Sequence, residues 1–134
     1  MNCICKLYLL VLLFTLISCA KEKGPQNYSL QGLPEEKVRA ITQGNFQVIS
    51  VAGGITGYPS YPKNQFVRIT ADSINWYSGN TKQFGLAYTW GTISLYGVER
   101  YGLTPHYVPD RVENGNLILV QPTGEVTGYE LKRM

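Results

Sequence analysis

The side chains best able to do chemistry are few and far apart. His106 is the only histidine in 134 residues, and so the only imidazole available as a general base near neutral pH. Asp110 follows four residues later and Glu113 seven. A metal or an acid–base pair built on these three would still need a partner from elsewhere in the chain. Nothing in the sequence has the form of a nucleophile elbow, a metal-ligand cluster or a pair of carboxylates on one strand. Gly53-Gly54 and Gly57 lack the following helix that a phosphate-binding loop requires. The chain is expected not to be an enzyme, with no catalytic residue, no metal and no cofactor.

A second set of residues suits binding better than reaction. Trp76, Tyr77, Phe84, Tyr88, Trp90, Tyr96 and Tyr101 crowd the middle of the chain, and such rings stack on sugars or cover apolar ligands. Trp76, Tyr88, Trp90 and Tyr96 are the candidate ligand-binding residues. The plain alternative is that they fill a core. A filled core needs a partner for each buried hydroxyl and indole N–H, and this tilts the reading towards an open mouth lined by some of the rings.

The three cysteines are confined to the first nineteen residues. Lys6 precedes an apolar run from Leu7 to Leu13, extended by Phe14, Leu16 and Ile17. That run is shorter than the roughly 20 apolar residues needed to span a bilayer, and it ends in small residues, as a signal segment does. Leu16-Ile17-Ser18-Cys19 resembles the bacterial lipobox: an aliphatic residue, a small or aliphatic one, a small one, then cysteine. The resemblance implies cleavage before Cys19, acyl chains on Cys19 as lipid attachment, and anchoring by more than one chain. An ordinary secretory signal or an uncleaved anchor is the alternative, and either would export the domain. Cys3 and Cys5 would leave with the signal, so the mature chain is expected to hold neither a disulfide nor a cysteine nucleophile.

The organisation read from this is a signal peptide over 1–18, a lipidated tether over 19–32 and one β domain over 33–134. Ala20 to Gly32 is polar and reads as a solvated tether. Lys21-Glu22-Lys23 loosely resembles the charged signals that direct some lipoproteins outward. The expected place is the bacterial cell envelope, on a membrane, outer rather than inner. Without Lys6, eleven basic residues face nine acidic ones, and the basic ones are scattered, so no nucleic-acid partner is expected.

The elements that would position these residues follow from periodicity. Leu33 to Gln43 reads as a short helix, with Pro34 in its first turn, Glu35 and Glu36 near its positive end and Gly44 as terminator. From Gly44 onward, β-branched and aromatic runs alternate with turn residues, predicting seven or eight antiparallel strands. Nine candidate segments supply them: Asn45 to Ala52, Gln65 to Ala71, Ser73 to Ser78, Gln83 to Trp90, Thr92 to Tyr96, Val98 to Leu103, Tyr107 to Glu113, Leu117 to Gln121 and Glu125 to Arg133, of which Val98 to Leu103 is a short optional one. Asn114-Gly115 is the preferred type I′ hairpin dipeptide.

Such a meander closes most simply as an up-and-down barrel, with a β-sandwich as alternative. The chain resembles the lipocalin-like, or calycin, barrels: a short helix, a first strand opening Gly-x-Trp, and a last strand ending in an aromatic and a basic residue. The matching pieces are Leu33 to Gln43, Gly44-Asn45-Phe46 and Tyr129-Glu130-Leu131-Lys132-Arg133, with Phe46 where the family usually has Trp. The resemblance implies barrel closure by Arg133, or Lys132, stacking on Phe46. Otherwise Gly44 merely caps the helix and Phe46 is an ordinary core residue. Two functions remain open: a membrane-anchored barrel whose mouth holds a small hydrophobic or glycan-like ligand, and a structural module docking an envelope protein partner. An inhibitor barrel that blocks a hydrolase is a third.

Overall fold

A computed structural model of the chain describes residues 27–53, 57, 59–123 and 125–134. The signal segment, Cys19 and the tether as far as Gln26 lie outside the described residues, as do part of the Ile55 to Asn64 loop and Gly124. The protein is mostly antiparallel β structure with one short helix. In chain order the elements are β1 (Tyr28–Ser29), α1 (Glu35–Thr42), β2 (Gly44–Gly53), β3 (Gln65–Ile69), β4 (Ser73–Ser78), β5 (Thr81–Ala87), β6 (Thr89–Leu95), β7 (Val98–Thr104), β8 (Val108–Glu113), β9 (Asn116–Gln121) and β10 (Thr127–Arg133).

Helix α1 has eight residues, too few to stand alone in water, so it depends on what it covers. Val38 turns inward at 2% exposure, and the fully buried Thr42 hydroxyl donates to the Val38 carbonyl at 2.7 Å. Pro34 precedes the first turn, Glu35 and Arg39 pair across one turn, and Gln43 turns extended to lead into β2.

Eight strands form one sheet in the order β1-β8-β9-β10-β2-β3-β4-β5, and β6 pairs with β7 separately. The last long strand returns to the first, placing Arg133 opposite Phe46 and Tyr129 opposite Val51. The expected barrel is corrected here: the sheet is not closed, and two interruptions account for it. At Tyr88 the chain leaves the β4 ladder, and its N–H donates to the Asp72 carbonyl at 2.9 Å. The run Gln83 to Trp90, expected as one strand, is therefore shared between β5 and β6, and the segment expected as Thr92 to Tyr96 completes β6. The second break lies between β7 and β8, whose backbones are joined among the described residues only by the reciprocal Leu103–Tyr107 bridge just before β8, 2.7 and 3.0 Å. Beyond it the free edge of β8 is taken by β1, with Tyr28 opposite Val112 and Ser29 opposite Arg111, and by the Leu30 N–H donating to the Asp110 carbonyl at 3.0 Å. Asn27 to Gly32, expected as solvated tether, is thus part of the fold, and Leu30 is buried.

Two apolar clusters result. The larger holds Phe46, Val48, Val67, Ile69, Ile74, Leu119 and Leu131, closed at one side by Leu30 and Val38. The smaller holds Leu95, Val108 and Val120, flanked by Ile93, Ile118 and Val126. Strand β9 faces both, sending Leu117 and Leu119 to one and Ile118 and Val120 to the other. That is why its sequence is an unbroken apolar run rather than an alternating one. Each such side chain contributes about 1.5–3 kcal/mol on full burial.

Candidate functional site

The four expected binding residues do not converge. Trp76 is 6% exposed and packs against Tyr129, Phe84 and Tyr107, with ring centroids 5.0, 5.9 and 6.0 Å away. Tyr88 is buried in a different place. It lies edge-on to Trp90 at 5.8 Å, its hydroxyl donates to the Thr70 carbonyl, and Arg39 covers Trp90 at 5.2 Å. Tyr96 stands apart at the tip of the β6–β7 hairpin, 76% exposed. Burial raises the pKa of Tyr88 and Tyr129 and pushes Tyr107 up to about 12, with Tyr129 nearby adding to the effect on Tyr107. These hydroxyls stay neutral at ordinary pH and can only donate or accept hydrogen bonds.

His106 and Asp110 are not brought together either. The carbonyl of Ala87 accepts from His106 Nε2 at 3.0 Å, which ties the turn before β8 to the end of β5. Asp110 bonds Arg100 and Arg111 instead, and Arg111 also reaches Glu113 at 3.0 Å. The bond from Asp110 holds the Arg111 guanidinium above its ordinary pKa. Among the described residues no three His, Cys, Asp or Glu side chains are grouped to hold a metal ion, and no helix is long and apolar enough to cross a membrane.

Two concavities carry the exposed aromatic rings of the β6–β7 hairpin. One, of about 480 Å³, opens where β1 keeps β7 away from β8. Leu30, Leu33, Val38 and Pro109 give it apolar walls, and Tyr101, 42% exposed, stands at its rim. Arg100 crosses it: its guanidinium bonds Asp110 and reaches Gln31 Oε1 at 3.3 Å, while its Nε is buried without a hydrogen-bond partner among the described residues. The other, of about 410 Å³, lies on the outer face of β2, β10 and β9, with Tyr96 at one wall. Ile118, Val120 and Val126 give it an apolar floor beside Glu130, Ser50 and Arg111. The Glu130 carboxylate accepts from Ser50 Oγ at 2.8 Å and from Asn116 Nδ2 at 2.7 Å.

Phe46 and Arg133, the pair that the barrel resemblance singles out, do meet. The Arg133 guanidinium lies 4.8 Å from the Phe46 ring centre, and its Nη2 donates to the Ile41 carbonyl at 2.6 Å. Sequence reasoning missed Arg100 and Glu130, and weighed Asp110 only beside His106 and not beside Arg100. Arg100 and Asp110 lie on separate strands and Glu130 joins Ser50 across eighty positions, so no local pattern announces them. Protein-family models, curated proteins and solved structures were all compared with the chain, and none matches it.

Proposed function

We propose that this chain is an acylated protein of the bacterial cell envelope, anchored through Cys19, whose β domain binds a small apolar or glycan-like ligand and performs no catalysis. The observation that supports the ligand reading is the β6–β7 hairpin. It presents Tyr101 and Tyr96 to two separate concavities of about 480 and 410 Å³, within the range of small-molecule sites. Each combines apolar walls with a few polar groups. The anchor is supported by Leu16-Ile17-Ser18-Cys19 behind its apolar run. Tyr28 follows Cys19 by nine residues, so the tether reaches at most about 30 Å, which keeps the domain near the membrane surface. The lipocalin-like ancestry belongs to the same proposal: the paired first and last long strands and the Arg133–Phe46 stack favour it, as an interrupted form of the barrel.

Two measurements test this. Acyl labelling of cells carrying the wild type and Cys19→Ala should give a labelled band only for the wild type; equal labelling of both sinks the anchor. A thermal-shift screen of the full chain in detergent against lipids, glycans and small apolar compounds should raise the melting temperature with one class. No shift with any class rejects the ligand.

A second reading, a module that docks an envelope protein, is favoured by one specific feature. Strand β5 pairs only with β4, its outer edge is unpaired among the described residues, and Phe84 on it is 50% exposed. An extended segment of another protein could add to such an edge. Cross-linking in intact cells from position 83 would capture that partner.

A further inference from the structure

The protein contains the same tight turn twice, with different residues in it. At the β8–β9 hairpin the central pair is Asn114 at φ 51° and Gly115 at φ 77°. At the β6–β7 hairpin it is Tyr96 at φ 52° and Gly97 at φ 77°. Asparagine tolerates this left-handed conformation and is the preferred residue there; a tyrosine is strained in it. Nor does packing offset the strain, because Tyr96 is 76% exposed. A chain able to place Asn-Gly in this turn holds a destabilising aromatic instead, and strain retained in this way points to a use for the side chain.

What the ring stands beside indicates the use. The groove it walls contains Glu130, a part-buried carboxylate held by two neutral donors, Ser50 and Asn116, with no cation within 4 Å among the described residues. A carboxylate offers about four acceptor sites, so roughly two remain for a ligand. Facing them are the apolar floor of Ile118 and Val126 and the Arg111–Glu113 pair at the rim. An exposed ring for stacking, a carboxylate able to accept from hydroxyls and a shallow, half-apolar groove match a pyranose, which has an apolar face and a polar rim. An anionic lipid headgroup fits poorly, since Glu130 and Glu113 would repel it.

We propose that the groove between Tyr96 and Glu130 is a sugar-binding site, in which a pyranose ring stacks on Tyr96 and donates hydroxyl hydrogen bonds to Glu130. This rests on the ligand-binding reading above and names its site and ligand class. The test uses the full chain in detergent micelles, titrated with N-acetylglucosamine trimer, cellotriose and maltotriose and followed by saturation-transfer NMR, with a fatty acid as apolar control. At least one trisaccharide should bind, and Tyr96→Asn and Glu130→Gln should each weaken it by about tenfold or more. Tyr96→Asn restores the favoured turn, so it should also melt several degrees higher than wild type; loss of binding in a more stable protein cannot be misfolding. Sugar binding untouched by both variants overturns the site and leaves the ligand reading standing. Binding of the fatty acid alone overturns the sugar class but not the ligand reading, and binding of neither probe overturns both.

Discussion

Arg133, at the end of β10, lies over the ring of Phe46 at 4.8 Å while donating to the carbonyl of Ile41 at 2.6 Å. One side chain thus joins the last strand, the first long strand and the open end of helix α1, where unpaired carbonyls and the helix dipole favour a cation. Gly44, two residues before Phe46 on the same face of β2, leaves the space it needs: a Cβ there would collide with the Arg133 guanidinium, and the backbone is at φ +147°.

Replacing Arg133 with Ala should therefore destabilise the domain by about 1–2 kcal/mol, a cation–π contact and a charged hydrogen bond together discounted because the side chain is exposed. Arg133→Lys should recover only part of this, because a point charge cannot lie flat on the ring and also reach the helix. Gly44→Ala should meet or exceed the Arg133→Ala value, because it displaces the guanidinium and also strains a backbone at φ +147°. Chemical denaturation of the three variants checks the order; equal stability of Arg133→Ala and wild type would refute it.

The Arg100–Asp110 pair should be asymmetric. Both side chains are 15% exposed, but Asp110 has a second partner in Arg111. Arg100→Met leaves Asp110 still paired, whereas Asp110→Asn strands a largely buried guanidinium. Breaking a buried pair by removing one partner costs about 3–5 kcal/mol; discounted for partial exposure, Asp110→Asn should cost about 2 kcal/mol and Arg100→Met less. Urea midpoints decide, and the reverse order would show that Arg100 is held by other groups.

Alkaline pH should unfold the protein partly through Tyr107. Its pKa is raised to about 12 by burial and by Tyr129, while an unfolded tyrosine titrates near 10. Below pH 10 the phenol is protonated in both states and stability is unaffected. Between about 10 and 12 the unfolded chain gives up the proton and the folded one keeps it, so stability falls by about 2–3 kcal/mol across that window. Tyr107→Phe should flatten this loss. Parallel curves for the two proteins in denaturant melts at successive pH values would assign the alkaline transition to other groups, Tyr88 and Tyr129 among them.

Phe84 gives a test of edge against core. Half exposed and stacked on Trp76 at 5.9 Å and 23°, it should lose about 1 kcal/mol on change to Ser, far less than the 3–5 kcal/mol expected for Trp76→Ala. The tryptophan emission of Phe84→Ser should move to the red as Trp76 gains water. An unshifted spectrum would mean that something other than Phe84 shields the indole.

The strand succession was legible because local patterns encode it: Asn114-Gly115 marks a hairpin, and the apolar run from Leu117 after it reads as the returning strand. Which edges would join was not. Alternation runs unbroken through Phe84, Leu86, Tyr88 and Trp90, since a strand that moves from one partner to another keeps its period of two. Tyr28–Ser29 is too short to show any period, yet it decides whether β7 or the N-terminal segment pairs with β8. The aromatic residues were legible as a group but not by role. Trp76 and Tyr88 went to the interior, while Tyr96 went to the surface by virtue of the glycine after it. Glu130 and Arg100 depend on contacts between distant strands, about which a linear pattern is silent.

The two-residue strand β1 is also where the chain before Asn27 enters the fold. A pull on that segment is borne first by Asn27, whose Oδ1 accepts from the Asn114 N–H at 2.6 Å, and then by Tyr28–Ser29, whose pairing extends only about 7 Å. If those two residues peel away, the edge of β8 that borders the 480 Å³ opening loses its only strand partner on that side among the described residues.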